Sequence, residues 1–168
     1  MADTLHVIAV VSRPIAVSIL LNDGNEQFEG IVPVSRLPVD IVARQLHDDL
    51  ADDDPPLRLR VLPWGRLADL QEALAEGCDV IHFVGHGDEE GRLLFEKNDG
   101  TADLVDAARL RLALQGYPVR LVLLSACHSE APGRAAQEAG IPNKETLYRG
   151  RGQRAEGAGG RAGLSQAE

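Results

Sequence analysis

The residues best suited to chemistry in this sequence are a histidine and a cysteine that each follow an apolar run. His86 lies between two glycines at the end of VIHFVGHG, residues 80–87, and Cys127 ends LVLLSAC, residues 121–127. A cysteine attacks as its thiolate, and a neighbouring histidine can generate that thiolate or pair with it. These two residue types predict a nucleophilic cysteine site, provided that the fold brings them together.

The glycine after the histidine adds a second chemical feature. Gly87 has no Cβ, so its backbone can approach a substrate closely, and its N–H could donate to an oxyanion developing on a carbonyl. Cys127 precedes a segment of small residues that predicts a short helix over residues 131–139. The start of a helix favours a thiolate, which supports Cys127 as the nucleophile.

Each of these residues also has a simpler interpretation. A cysteine after an apolar strand is often a small buried hydrophobe, and a histidine in a loop is often a surface residue. Cys78 begins a strand without neighbouring reactive residues and is predicted to be structural. His82 lies inside the apolar run and is predicted to be a core histidine with its hydrogen bonds satisfied.

Other site chemistries fit the sequence less well. A zinc site built from Cys127, His128, His82 and His86 has no C-x-x-C and matches no common ligand spacing. Ser125 lacks the G-x-S-x-G elbow of many serine hydrolases. The first apolar run leads into VVSRPIA rather than a G-x-G-x-x-G phosphate loop, which disfavours a dinucleotide-binding domain.

The surrounding elements predict how the two residues are positioned. Apolar runs predict strands, and leucine and valine at helical spacing predict helices. The predicted strands cover residues 5–12, 57–62, 78–84 and 119–126, with a hairpin arm over 92–96; the predicted helices cover 39–50, 67–74 and 102–115; and residues 22–37 are predicted to be a long loop. Strands alternating with helices predict an α/β fold, a mostly parallel sheet with helices on both faces in three layers.

This topology bears directly on the site. The carboxyl ends of parallel strands meet at one edge of a sheet, where reactive groups collect. His86 and Cys127 each follow a predicted strand end, so we expect them to face one cleft at that edge.

Composition sets the broad class of the protein. The chain has 168 residues, 44% hydrophobic, which suits one domain with a real core. A net charge of -9 argues against a nucleic-acid partner. No apolar run approaches the roughly 20 residues of a membrane helix, and no signal peptide is evident. Two cysteines make no disulfide framework, so we expect free thiols in a reducing cytoplasm.

The end of the sequence has a different character. Residues 143–168 are rich in glycine, arginine and alanine and contain few large apolar side chains. Such a segment buries too little surface to offset the entropy of ordering it. We therefore predict an α/β domain over residues 1–142 and a disordered tail over residues 143–168 that adds no strand to the sheet.

Two blocks of the sequence carry a family resemblance. They are HFVGHGD, residues 82–88, and LVLLSACHSE, residues 121–130, and forty-one positions separate His86 from Cys127. An H-F-x-G-H-G block followed by an apolar strand ending in S-A-C resembles the CHAT domain. This family is a branch of the caspase-like cysteine peptidases, which also include separase, gingipain and legumain.

The resemblance implies specific roles. His86 would be the catalytic histidine and Cys127 the nucleophile, and the N–H groups of Gly87 and Cys127 would stabilise the oxyanion. Arg13, in the block VVSRP that resembles the first strand of these domains, would face the substrate cleft. The implied fold is caspase-hemoglobinase-like, and the implied activity is that of a cysteine endopeptidase acting on a protein or peptide substrate without metal or organic cofactor.

The end of the chain departs from the family pattern. Family members continue past G-I-P into a further strand and helix, whereas here Pro142 leads into the polar tail. We therefore expect a truncated, incomplete domain, with an unpaired sheet edge and weak or absent peptidase activity. The alternative is a non-catalytic interaction or signalling module, and the oligomeric state stays open.

Overall fold

A computed structural model describes residues 4–23, 26–36 and 57–146 of the chain. In chain order its elements are β1 (Leu5–Val11), β2 (Ala16–Asp23), β3 (Glu26–Pro33), β4 (Leu57–Leu62), α1 (Leu67–Ala75), β5 (Val80–Val84), β6 (His86–Gly87), β7 (Leu93–Glu96), β8 (Ala102–Val105), α2 (Ala107–Leu114), β9 (Leu121–Ser125), α3 (Glu130–Glu138) and β10 (Asn143–Thr146). The helix predicted over residues 39–50 lies outside the described residues.

The centre of the fold is a parallel sheet of five strands in the order β10–β9–β5–β1–β4. Its middle strand β5 is buried along its whole length, which is why its sequence is nearly continuous in apolar residues rather than alternating. The α/β prediction is confirmed: α1, α2 and α3 flank a parallel sheet, consistent with a three-layer αβα arrangement.

The core joins this sheet to the described helices. Phe83 of β5 packs against Phe95 of β7, with ring centroids 5.0 Å apart. Leu70 of α1 and Leu114 of α2 belong to the same buried cluster, as does Ala136 of α3. Burying each large side chain stabilises the fold by about 1.5–3 kcal/mol, so this cluster rigidly fixes the strands whose ends carry the site.

Helix boundaries follow capping residues. Gly77 ends the turn after α1 with φ +105°, as its sequence position predicts. The helix predicted over residues 102–115 starts later, at Ala107, because the Asp106 side chain accepts a hydrogen bond from the Arg109 N–H (2.8 Å) as an N-cap. Residues 102–105 form β8 instead, so that part of the prediction is wrong.

Two small antiparallel sheets accompany the main one. β6, β7 and β8 form one of them, which agrees with the hairpin arm predicted over residues 92–96. β2 and β3 form a hairpin, so the loop predicted over residues 22–37 is wrong for most of its length. The signal was present in Asn-Asp-Gly-Asn, residues 22–25, which is turn chemistry between two strands rather than the start of a long loop.

The predicted tail is also corrected at its start. Asn143–Thr146 forms β10, which pairs in parallel with β9, so this segment does add a strand to the sheet. Four consecutive backbone pairings with an ordered strand offset the weak apolar content on which the prediction rested. The rest of the predicted tail, residues 147–168, lies outside the described residues. Among the described helices, none is long and apolar enough to cross a membrane.

Candidate active site

The carboxyl ends of β5 and β9 bring the two predicted reactive residues to one edge. In the parallel pairing, Val84 lies opposite Ser125, an offset of forty-one positions. The same offset separates His86 from Cys127, each two residues beyond its strand. Their spacing along the chain is therefore the register of the two strands, and it places both residues at the same point of the sheet edge.

Direct contact joins the two strand ends. A Cβ added to Gly87 would lie 1.9 Å from the carbonyl oxygen of Cys127 and 3.0 Å from its carbonyl carbon. No side chain fits in that space, so the backbone at Gly87 rests against the backbone of Cys127. The structure thus brings the histidine segment against the cysteine segment, while a shared cleft for the side chains of His86 and Cys127 stays a prediction.

The imidazole of His86 has a defined hydrogen bond. Its Nε2 lies 2.8 Å from the carbonyl oxygen of Ser35, in the segment after β3. A carbonyl oxygen can only accept, so Nε2 carries the proton and donates. The other ring nitrogen, Nδ1, is then the atom that remains for chemistry with the thiol or a substrate.

Sequence reasoning missed Ser35. The group of Ser35 that accepts from His86 is its backbone carbonyl, which every residue type has, so no side-chain pattern marks it. It also follows the end of β3, in a stretch without regular structure, where the sequence assigns no position relative to His86.

The histidine segment is a strand rather than a free loop. His86 pairs with Leu94 and Gly87 with Leu93 in the antiparallel ladder of β6 and β7. The following acidic residue closes the connection, because Asp88 accepts from both the backbone N–H (2.8 Å) and Nε (2.6 Å) of Arg92. This hydrogen bond raises the pKa of Arg92. The backbone at His86 and Gly87 is therefore fixed by its pairing with β7 and by the closed turn that follows it.

Cys127 occupies a tight turn between β9 and α3. Its side chain is exposed, and the next residue, His128, has φ +50°, a left-handed conformation that is uncommon for any residue other than glycine. The buried Ser129 hydroxyl donates to the carbonyl of Ala126 (3.0 Å), which closes the turn across these two residues. α3 begins at Glu130, so Cys127 lies just before a helix N-terminus, as predicted.

Arg13 lies at the same edge, one strand away. β1 pairs with β5 so that Val11 lies opposite Val84, and Arg13 is two residues beyond that point. Its backbone N–H donates to the buried carboxylate of Glu96, and its side chain is exposed. The residue is therefore placed where the cleft was expected, while its contact with a substrate stays a prediction.

Two further residues of the apolar runs behave differently. Cys78 is buried, and burial raises the pKa of its thiol to about 11, which agrees with a structural role. His82 is buried as predicted, but only its Nε2 is hydrogen-bonded, 2.9 Å from the Ser125 hydroxyl. Among the described residues its Nδ1 has no partner, so the prediction of a fully satisfied core histidine is wrong.

Metal ligation and family relationships complete the description of the site. Within residues 4–23, 26–36 and 57–146, no three His, Cys, Asp or Glu side chains converge into a group that could hold a metal ion.

A family model for the CHAT domain matches residues 19–150, a span that contains His86, Gly87 and Cys127 but begins after Arg13. No curated protein matches the chain.

Proposed function

The chain belongs to the CHAT domain family, which is related to the caspase-like cysteine peptidases, and on this basis we propose that it is a cysteine peptidase with Cys127 as nucleophile and His86 as proton donor and acceptor. The proposal concerns cleavage of a protein or peptide chain. It requires no metal and no organic cofactor, because a thiolate and an imidazole supply the nucleophile and the proton transfers.

The chemistry divides into two steps. His86 Nδ1 takes the thiol proton, and Cys127 Sγ attacks the carbonyl carbon of the scissile bond. As the tetrahedral intermediate collapses, the imidazolium returns that proton to the departing amine, which leaves a thioester on Cys127. Water then attacks the thioester and gives one proton to His86. When this intermediate collapses, the carboxylic acid product leaves, and the imidazolium returns its proton to the Cys127 thiolate, which regenerates the thiol.

The hydrogen bond to Ser35 suits this role for His86. Because Nε2–H donates to the Ser35 carbonyl, Nδ1 is the ring nitrogen that can accept the thiol proton. The imidazolium formed in the first step keeps its Nε2–H hydrogen-bonded. The backbone N–H groups of Gly87 and Cys127 are the proposed oxyanion donors, and Arg13 is the proposed substrate contact.

The observation that carries the proposal is the backbone contact between Gly87 and Cys127. It sets the histidine and cysteine segments against each other at the exposed edge of a rigid sheet. The left-handed conformation at His128 supports the same interpretation, since strained backbone concentrates at functional sites.

A non-catalytic interaction module is the second candidate. It is favoured by the exposure of two large apolar side chains on adjoining segments, Ile15 at 68% and Ile31 at 69%. Single exposed apolar residues are normal on protein surfaces, so this observation carries less weight than the contact at Cys127.

Peptide cleavage by the purified chain tests the peptidase proposal. We expect the unmodified chain to cleave members of a diverse peptide library weakly, in line with the weak activity expected from its sequence, Cys127→Ala and His86→Ala to abolish this cleavage, and Cys78→Ala, the matched control, to retain it. Cleavage that persists in Cys127→Ala would overturn the proposal. No cleavage by the unmodified chain, together with specific capture of a protein partner, would favour the interaction module.

A further inference from the structure

The strongest feature outside the proposed site is a buried imidazole with an incomplete set of hydrogen bonds. His82 is 6% exposed, and its Nδ1 is the buried side-chain nitrogen or oxygen that lacks a partner in the part of the chain that the structure describes. Most buried polar atoms in folded proteins are hydrogen-bonded, and leaving one unpaired is costly. An apolar side chain at this position would avoid that cost, so the histidine needs an explanation.

The other ring nitrogen supplies the first part of that explanation. His82 Nε2 lies 2.9 Å from the hydroxyl of Ser125, on the neighbouring strand. His82 pairs in register with Leu123, two residues before Ser125, and residues two apart on a strand share a face. The hydrogen bond therefore runs diagonally across the seam between β5 and β9, towards the edge where β9 ends.

Two polar groups of Ser125 are held by β5 and by the residue that follows it. Its hydroxyl meets His82, and its carbonyl oxygen accepts from the N–H of Gly85 (3.2 Å). Cys127 follows two residues later, after the chain has turned. The position of the cysteine turn relative to β5 is therefore set at Ser125. His82 holds its side chain, and Gly85 holds its backbone carbonyl.

The tautomer of His82 follows from the surroundings. An unpaired buried N–H donor is rarer and more costly than an unpaired acceptor, so Nδ1 is the bare nitrogen and Nε2–H donates to Ser125. Burial lowers the pKa of His82, which favours this neutral form. The Ser125 hydroxyl then directs its own proton away from His82.

We propose that His82 is a positioning residue that acts through Ser125 to fix the turn carrying Cys127, and that its unpaired Nδ1 is the stability cost of this arrangement. The catalytic consequence rests on the proposed peptidase function, but the effect on the geometry of Cys127 does not. A purely structural role predicts the opposite pattern: replacing His82 would destabilise the fold and leave the reactivity of Cys127 unchanged.

Four variants separate these possibilities. His82→Leu keeps side-chain bulk and removes both nitrogens; His82→Gln keeps an amide donor near the position of Nε2; Ser125→Ala removes the hydroxyl; and the double variant combines His82→Leu with Ser125→Ala. Two quantities are measured on each folded chain: the urea midpoint of unfolding and the second-order rate of Cys127 alkylation by iodoacetamide, with Cys78→Ala as a common background.

We expect His82→Leu to leave the urea midpoint unchanged or higher, and to lower the Cys127 alkylation rate by about fivefold or more as the turn loses its fixed position. Ser125→Ala should lower the rate to a similar extent, and the double variant should lower it no further, because both changes break one interaction. His82→Gln should stay within about twofold of the unmodified rate, because it can still donate to Ser125.

An unchanged Cys127 rate in His82→Leu would overturn the proposal whatever the urea midpoint, as would additive effects in the double variant. If His82→Leu fails to fold, Ser125→Ala and His82→Gln decide the matter with the same readout. Failure of the peptidase proposal is seen separately: a chain that cleaves no peptide, yet whose Cys127 rate responds to His82→Leu, keeps the positioning role and loses the catalytic one.

Discussion

The two ends of the parallel sheet each hold a cysteine and a histidine, and the cysteine is buried at one end and exposed at the other. At the amino end, Cys78 is buried, with its sulfur 3.0 Å from the carbonyl of Val80 and 3.8 Å from that of His6. The His6 N–H is itself donated to Asp79 (2.9 Å). At the carboxyl end, Cys127 is exposed in a turn and His86 has one ring nitrogen held by Ser35.

The difference shows that residue type alone does not make a reactive pair. Where strands begin, the backbone of the incoming segments satisfies the thiol and buries it. Where parallel strands end, the chain turns away and leaves side chains at an open edge. The direction of the strands, set by the alternation of strands and helices, decides which of the two cysteines is buried and which is exposed.

Thiol reactivity should show the largest difference between the two ends. We expect Cys127 to react with iodoacetamide at pH 7.5 at least about a hundredfold faster than Cys78, because a buried thiol with a raised pKa is almost entirely protonated at that pH. Mass spectrometry of the folded chain, with each cysteine replaced by alanine in turn, measures both rates. Rates within a factor of about three would contradict the comparison.

The close contact at the carboxyl end should show the next largest effect. Gly87→Ala should destabilise the fold by about 3 kcal/mol, since its Cβ would overlap the Cys127 carbonyl and the backbone must move. Gly116→Ala is the control: it has open space but φ +87°, which costs about 1–2 kcal/mol. Chemical denaturation compares the two, and equal losses would show that the two strand ends are not in contact.

Loss of the Glu96 carboxylate should have a somewhat smaller effect, since this buried group ties the end of β1 to the segment after β4. It accepts from the N–H groups of Arg13 and Gly65, so Glu96→Ala should cost about 2–3 kcal/mol by removing the buried acceptor that these two N–H groups share. Glu76→Gln, which breaks an exposed pair with Arg60, should cost less than about 1 kcal/mol. A cost for Glu96→Ala no larger than that of Glu76→Gln would show that Glu96 does not hold this edge.

A smaller effect should appear in the pH dependence of stability. Burial lowers the pKa of His82 below its ordinary value of 6.5, so the unfolded chain binds the proton more readily than the folded one. Protonation of His82 therefore leaves the free energy of unfolding unchanged above pH 6.5. That free energy falls as the pH drops from 6.5 towards the folded pKa, because only the unfolded chain then binds the proton. Urea midpoints between pH 5 and 8 should fall less steeply on acidification in His82→Leu; identical slopes would contradict the burial of a neutral His82.

Much of this arrangement follows from the sequence, because strand ends can be located from apolar runs. The positions of His86 and Cys127 relative to Val84 and Ser125 were predictable, since alternating elements imply parallel strands and hence one shared edge. Backbone contributions were not predictable: the Ser35 carbonyl has no residue-type signal. The Nδ1 of His82 belongs to the same class, because hydrogen-bond satisfaction depends on three-dimensional neighbours.

Errors in the prediction have a common physical cause. The hairpin of β2 and β3, the strand β8 and the strand β10 are stabilised by pairing with other segments rather than by their own periodicity. Local propensity therefore assigned them to a loop, a helix and a tail. Pairing with another segment, whether close in the chain as in β2–β3 and β7–β8 or more distant as in β9–β10, is information that the periodicity of one segment does not carry.

The most direct test of the account is whether His86 and Cys127 act as a coupled pair. The alkylation rate of Cys127 should be measured from pH 5 to pH 10 in the Cys78→Ala background, with and without His86→Gln. We predict that the profile of the unmodified pair differs in shape from that of the variant, with faster alkylation near neutral pH when the imidazole is present. Superimposable profiles would mean that His86 does not influence the thiol, and the proposed catalytic pair would be wrong.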